Sequence, residues 1–284
     1  MIKLAVIGDP IAHSLSPHVH GAALDALNIP YEYEKVQVKK GELEDFLRYA
    51  RERKIDGFNL TMPHKVDILP YLDEIDEEAE RFRSVNTVCV RKGKLYGYNT
   101  DAEGYTASLK MTGREFKDSR VVILGAGGVV RTLALKAAWE GVGEIWILNR
   151  TVHKAEAVCR SVKEKTDAQV FAGSLEIETL KEVCSNCDIL INATPLGMHG
   201  VSENFSEFAF LDALPGEALV SDLIYNPEKT MLLQEAERRE LSTLNGLGML
   251  IFQGLLADRI YTDLEFDMKA VYGRVLQAVR QAFV

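Results

Sequence analysis

Short apolar runs alternate with stretches of three- and four-residue apolar spacing over most of this chain. The run "IKLAVIG" from Ile2 is rich in β-branched residues, stops at Gly8 and Pro10, and predicts a buried strand. "SPHVHGAALDALNI" then carries helical spacing, with Ser16 as the expected N-cap and Pro17 at the first helical position. "YEYEKVQV" predicts a second strand, "ELEDFLRYARERK" an amphipathic helix with a charged outer face, and "IDGFNLT" a third, short strand. "SVNTVCVRKGKLYGYNTD" predicts a hairpin turning at "KGK", followed by a helix from about Ala102 to Met111. The polar stretch "TGREFKDS" predicts a loop and a domain linker. A second alternating series starts at Arg120, and from about Leu250 the chain reads as helical, "DMKAVYGRVLQAVRQAFV" included. Such alternation predicts an α/β protein with mostly parallel sheets, which bind ligands at the carboxyl ends of their strands.

Composition narrows the function classes. With 284 residues the chain has room for two domains, and a net charge of -9 argues against general nucleic-acid binding. No apolar run is long enough to span a bilayer, and the N-terminus shows no secretory pattern, so a soluble cytoplasmic protein is expected. Cys89, Cys159, Cys184 and Cys187 do not make a disulfide framework at this length. "CSNC" has redox or metal spacing but lacks companion ligands, so reduced, partly buried thiols are expected and no metal site. His18 and His20 in "HVH" fall on different helix faces, which also disfavours a metal.

Two segments point to chemistry. "VVILGAGG" sets Gly125, Gly127 and Gly128 between a strand and an amphipathic helix, where a pyrophosphate meets unpaired helix N–H groups. Val130 stands at the third fingerprint position in place of glycine or alanine. The next strand ends in Asn149, Arg150 and Thr151, with Lys154 beyond, where a carboxylate would bind an adenosine ribose 2′-hydroxyl. A guanidinium, a hydroxyl and an ammonium suit a 2′-phosphate instead, which points to NADP(H) in a Rossmann-type domain. In "NLTMPHK", Asn59, Thr61 and Lys65 lie where a strand ends and a helix begins. A lysine held there suits proton delivery to an oxygen that gains charge as a hydride arrives. Asp101 in "YGYNTDAEG" could orient Lys65, accept from a substrate hydroxyl, or cap its own helix. Ser14, Ser16, Asn86 and Tyr225 share this uncharged polarity at strand ends and helix starts; together they describe a pocket for a polyhydroxylated anion.

The ordered motifs "SLSP", "NLTMPHK", "VNTV", "NTDAEG", "GAGG", "NRT", "NATPLGM", "YNP" and "NGLGMLIFQG" resemble the shikimate dehydrogenases over the whole chain. The resemblance implies two domains: an N-terminal, mostly parallel α/β substrate domain and a Rossmann-type NADP-binding domain, with C-terminal helices returning to the first. The bounds expected are 1–102 with 247–284 for substrate binding and catalysis, and 103–246 for NADP. It implies Lys65 as the proton-transfer residue and Asp101 as its partner. Ser14, Ser16, Asn59, Thr61, Asn86, Tyr225 and Gln253 match the family's substrate-binding positions. Gly125, Ala126, Gly127, Gly128, Val129, Asn149, Arg150, Thr151, Lys154 and Gly246 match its NADP contacts, with Thr194, Met198 and Leu223 on the nicotinamide side. The implied activity is reversible, NADPH-dependent reduction of 3-dehydroshikimate to shikimate on the route to aromatic amino acids. The substrate is expected in a cleft that closes over it, in a monomer or homodimer with no membrane or nucleic-acid partner. A quinate/shikimate dehydrogenase using NAD, or a ligand-binding regulator without turnover, are the rival expectations. Two departures from the family's pattern are Arg83 and Ser84 before "VNTV", and Val129, Val130 and Thr132 where alanines are commoner.

Overall fold

The first apolar run forms β1 (Ile2–Gly8) in the computed structural model of this protein, which describes residues 1–283. Helix α1 (Ser16–Ala26) follows, then β2 (Tyr31–Gln37), α2 (Leu43–Arg53), β3 (Gly57–Leu60) and the short α3 (His64–Asp67). Next come β4 (Glu74–Ile75), α4 (Glu77–Phe82), the hairpin of β5 (Thr87–Arg91) and β6 (Lys94–Tyr98), and α5 (Asp101–Lys110). The strands assemble in the order β2-β1-β3-β5-β6-β4. β1 pairs in parallel with β2 and β3, and β4 with β6, while the hairpin makes β5 antiparallel to its neighbours β3 and β6. Register sets Val6 beside Asn59 and Asn59 beside Thr87, so the carboxyl end of β3 carries polar side chains between apolar neighbours. Helix α2 buries Leu43, Phe46, Leu47 and Ala50, one stripe at helical spacing, against that sheet. Phe46 meets Phe58 edge to face at 5.0 Å.

Local chemistry fixes several boundaries. Asp76 caps α4 by accepting from the Glu78 and Ala79 N–H groups, at 3.0 and 3.4 Å. Asp76→Ala is expected to cost about 1 kcal/mol of stability, read as a lower denaturation midpoint at unchanged m. Arg83 ends α4 in the left-handed region at φ 50°, and the Ser84 carbonyl accepts from Asn99 Nδ2 at 2.8 Å. The family departure at these two residues therefore sits in a helix terminus. The N-cap expected at Ser16 is displaced by one residue. Leu15 holds that position, and Ser16 is already helical because Ser14 Oγ accepts its N–H at 3.3 Å.

The second series runs β7 (Arg120–Leu124), α6 (Gly128–Trp139), β8 (Glu144–Leu148), α7 (Val152–Lys163), β9 (Val170–Gly173), α8 (Ile177–Cys184), β10 (Ile189–Asn192), β11 (Leu219–Asp222), α9 (Met231–Glu237) and β12 (Ser242–Leu244). Its six strands are all parallel, in the order β12-β11-β10-β7-β8-β9, the doubly wound arrangement of dinucleotide-binding sheets. The sheet's interior is apolar, with Val122, Leu124, Leu190 and Val220 buried together with Phe210. Val130, at the third fingerprint position, is fully buried in α6. Helices α10 (Leu247–Thr262) and α11 (Met268–Gln281) close the sequence.

The chain divides into two compact units, Met1–Gly104 together with the chain from Ile251 onward, and Tyr105–Leu250. The polar stretch 112–119 is not the divide, contrary to the linker expected there. Its Phe116 is fully buried and stacks on Tyr105 at 5.9 Å, which ties the stretch into the second unit. Apolar burial outweighs the polar composition around it. Among the described residues no helix is long and apolar enough to cross a membrane.

Candidate active site

In the first unit the segment after β3 is held from both sides. Thr61 N–H donates to Ile7 O at 2.9 Å, the buried His64 ring nitrogen Nε2 lies 2.6 Å from Val38 O, and the Lys65 carbonyl accepts from Val85 N–H at 2.8 Å. The Lys65 ammonium thus leaves a fixed backbone, and its Nζ donates to Asp101 Oδ2 at 2.6 Å. Asp101 is the first residue of α5, and Asn99 Oδ1 accepts its N–H at 3.1 Å. The carboxylate itself receives Lys65 and, at 2.9 Å on Oδ1, Asn86 Nδ2. Of the three roles open to Asp101 from sequence, these contacts display the pairing with Lys65. The Lys65 side chain keeps 30% of its exposure while that of Asp101 keeps 12%, so the ammonium remains reachable and its partner is largely covered.

Asn86 is 2% exposed and lies at the hub of this site. Its Oδ1 accepts from Thr100 N–H at 2.8 Å, which turns its Nδ2 toward Asp101 and, at 3.4 Å, toward Gln253 Oε1 on α10. Gln253 gets there because α5 and α10 touch at Gly104, where any β-carbon would stand 2.7 Å from Gln253 N. Lys65, Asn86, Asp101 and Gln253 are therefore gathered in one place. Asn59 joins them through Thr87, whose Oγ1 lies 3.2 Å from Asn59 Nδ2. Ser14 and Ser16 are half-buried before and at the start of α1, their hydroxyls 3.1 Å apart. Tyr225 belongs to the second unit, half-buried on the segment after β11, with its pKa raised by burial.

The second unit offers a phosphate cradle. Gly125 follows β7 at φ 116°, where a β-carbon would meet Ala193 O at 2.9 Å, and its N–H donates to Leu148 O at 2.7 Å. Ala126 is half-buried, Gly127 and Gly128 are exposed, and Gly127 caps a 12-residue helix with no side chain over its first N–H groups. A pyrophosphate fits that end, with Val129 in the first turn. The Gly125–Leu148 bond brings the end of β8 alongside, where Asn149 Nδ2 donates to Thr151 O at 2.9 Å. Thr151 occupies the N-cap of α7 without a side-chain capping bond, and Arg150 and Lys154 are exposed. Arg150 Nη1 lies 3.5 Å from Glu203 Oε2, both side chains well exposed. These residues suit a 2′-phosphorylated dinucleotide.

At the ends of β10 and β11 one carboxyl organises the loops. Asp222 accepts from Asn192 Nδ2 at 3.1 Å, Ile224 N–H at 3.0 Å and Thr230 Oγ1 at 2.7 Å, and Asn192 Oδ1 in turn receives the Thr194 hydroxyl at 2.7 Å. Burial pushes the Asp222 carboxyl up to about 6, against the pull of its three hydrogen bonds. Thr194 and Leu223 are thereby fixed by a residue that sequence reasoning passed over, although an aspartate ending the apolar strand "LVSD" was a visible signal. Gly246 N–H donates to Ile224 O at 3.0 Å, and Met198 is exposed. Thr87 and Thr100 were also passed over, though each stands inside a quoted motif.

The four cysteines are free and buried, and burial pushes the Cys184 thiol up to about 12. Among the described residues no group of three or more His, Cys, Asp or Glu side chains could hold a metal ion.

A doubly wound sheet with a glycine-lined helix end, together with a lysine–carboxylate pair amid amides and hydroxyls, defines a pyridine-nucleotide-linked oxidoreductase. Residues 6–88 match the shikimate dehydrogenase substrate binding domain, and residues 107–203 the shikimate / quinate 5-dehydrogenase family. The NADP(+)-dependent shikimate dehydrogenase of Alkaliphilus oremlandii is 42% identical over 260 residues, 91% of each chain. A Thermus thermophilus shikimate 5-dehydrogenase solved with NADP(H) and shikimate superposes with a TM-score of 0.83 at 34% identity, covering 98% of this chain and 100% of that one. The ligand-free 5-ketofructose reductase of Gluconobacter sp. strain CHM43 gives 0.86 at 33% identity, over 99% and 98%. The chain belongs to the shikimate dehydrogenase family.

Proposed function

We propose that this protein is an NADP-dependent shikimate dehydrogenase, reducing the ring ketone of 3-dehydroshikimate reversibly to the alcohol of shikimate. The observation that carries this reading is the Lys65–Asp101 pair, 2.6 Å apart and braced by Asn86, in a chain of this family. NADPH supplies the hydride when bound. Lys65 Nζ then gives a proton to the carbonyl oxygen as negative charge grows on it, and Asp101 holds the ammonium and accepts from a neighbouring ring hydroxyl. Ser14 and Ser16 offer hydroxyls to the substrate carboxylate. Asn59, Asn86 and Gln253 offer amides to the ring hydroxyls, with Thr61 beside them. Gly125 to Val129 would hold the pyrophosphate and Asn149 to Thr151 with Lys154 the 2′-phosphate, with Gly246 a further NADP contact and Thr194, Met198 and Leu223 on the nicotinamide side. In this reading residues 1–102 with 247–284 bind substrate and residues 103–246 bind NADP.

Two features separate this from its rivals. A regulator without turnover has no need of a lysine bonded to a covered carboxylate, and here both are present. An NAD-linked quinate enzyme is better served by a carboxylate after β8, where Asn149, Arg150 and Thr151 stand. As a biosynthetic enzyme the protein is expected to work in the cytoplasm, as a monomer or homodimer. The test is isotopic: 3-dehydroshikimate is incubated with NADPH carrying deuterium at the transferable position of the nicotinamide. Shikimate carrying one deuterium on the former ketone carbon is expected. Shikimate formed without that label contradicts direct hydride transfer, and no shikimate contradicts the activity.

A further inference from the structure

Beside the amides assigned to the substrate lies a half-buried phenol that the reaction does not use. Tyr33, on β2, donates its hydroxyl to Asn59 Oδ1 at 2.9 Å. Asn59 is 5% exposed, and its Nδ2 faces the Asn86 carbonyl at 3.5 Å and Thr87 Oγ1 at 3.2 Å. A carbonyl only accepts, so the amide nitrogen must face it and the amide oxygen must face Tyr33, which therefore donates. From there the bonds run in one direction. Thr87 Oγ1 donates to Asn86 Oδ1 at 3.1 Å, and Asn86 Nδ2 donates to Asp101 at 2.9 Å, the carboxylate that holds Lys65. Register explains the path, since Asn59 and Thr87 are direct cross-strand neighbours.

The phenol is itself held rigidly. Its ring stacks on the His20 imidazole with centroids 4.8 Å apart and planes 14° from parallel. His20 Nδ1 lies 2.6 Å from Asp258 Oδ1, both side chains fully buried, and Asp258 belongs to α10, the helix that carries Gln253. Burial, and then the nearby Asp258 charge, push the Tyr33 pKa well above that of an ordinary phenol, against a hydrogen bond from Ser16. The hydroxyl therefore stays a donor at any working pH. It also donates directly to Asn59, one of the groups assigned to the substrate.

We propose that Tyr33 is a positioning residue that fixes the amide of Asn59, and through Thr87 that of Asn86, for binding of the substrate's ring hydroxyls. This role rests on the activity proposed above. Tyr33→Phe removes one oxygen and keeps the ring that packs on His20. Asn59 Oδ1 is then left buried without its donor, and the amide is free to turn away from its working orientation.

The test is steady-state kinetics on Tyr33→Phe, Asn59→Ala and the double variant, with 3-dehydroshikimate and NADPH varied in turn. Tyr33→Phe is expected to raise KM for 3-dehydroshikimate about three- to tenfold, the worth of one neutral hydrogen bond. KM for NADPH should stay within about twofold, because the dinucleotide residues gain nothing from this network. In the Asn59→Ala background the same change should have no further effect, since Tyr33 acts only through that amide. A purely structural role predicts otherwise: a lower thermal midpoint, unchanged KM values, and an effect that persists without Asn59. An unchanged substrate KM, or a rise that survives Asn59→Ala, overturns the proposal. Should Tyr33→Phe not fold, Thr87→Val cuts the next link and must show the same rise in substrate KM alone; an unchanged KM there overturns it equally. Wild-type protein that leaves 3-dehydroshikimate untouched removes the proposed activity and this role with it, whereas an active wild type with an indifferent Tyr33→Phe removes this role only.

Discussion

Replacing Lys65 by alanine is expected to lower kcat for 3-dehydroshikimate reduction by about 10²–10⁴-fold, the range that a positioned proton donor contributes. The ammonium bonds to Asp101 at 2.6 Å and still keeps part of its surface open, so it is both oriented and reachable. Water can replace it as a proton source but is not held in place, and the developing alkoxide loses a full positive charge beside it. The Kd for NADPH should move by no more than about twofold, since the residues assigned to the dinucleotide belong to the other unit. Asp101→Asn keeps the shape but removes the charge that orients Lys65, and a smaller loss of kcat is expected there. Should Lys65→Ala keep kcat within about tenfold of wild type and raise only KM, the lysine binds substrate and does not move the proton.

Arg150→Ala is expected to weaken NADPH binding about 10- to 100-fold while leaving NADH within about threefold. Arg150 follows the end of β8 by two residues, and the next residue, Thr151, makes no side-chain capping bond. Its partner here is Glu203 at 3.5 Å, and an exposed pair of that kind contributes only about 0–1 kcal/mol. A 2′-phosphate dianion accepting charge-assisted hydrogen bonds is expected to outcompete it. Fluorescence titration of both dinucleotides on wild type and variant reads the effect. An equal loss for NADPH and NADH would place Arg150 elsewhere on the dinucleotide and remove the basis for coenzyme preference.

Much of the architecture was legible because it repeats. Strand and helix periods alternate, the glycines of "GAGG" sit where β7 meets α6, and the polar residues of "NLTMPHK" follow a strand end. The stretch 112–119 misled because its composition is polar while one residue, Phe116, decides where it packs. The expected N-cap slipped by one position because Ser14 reaches the Ser16 N–H. The support of the site was not legible for a different reason. His20 and Asp258 are 238 positions apart, and Tyr33 reaches Asn59 from another strand. Such pairings are set by register and by where α10 lands, and no local pattern announces them. In the sequence His20 shows only the face it takes on its own helix, and a histidine there is indistinguishable from an ordinary amphipathic one until Asp258 is placed against it.

The central claim is a specific reaction, and NADPH oxidation by the purified protein tests it most directly. Absorbance of the reduced nicotinamide is followed with 3-dehydroshikimate and either NADPH or NADH; 5-ketofructose, and quinate with NAD+ or NADP+, run in parallel. Rapid loss with 3-dehydroshikimate and NADPH, and far slower change in every other pairing, is the expected result. Comparable turnover of quinate with NAD+, preferential reduction of 5-ketofructose, or no turnover of 3-dehydroshikimate would contradict it.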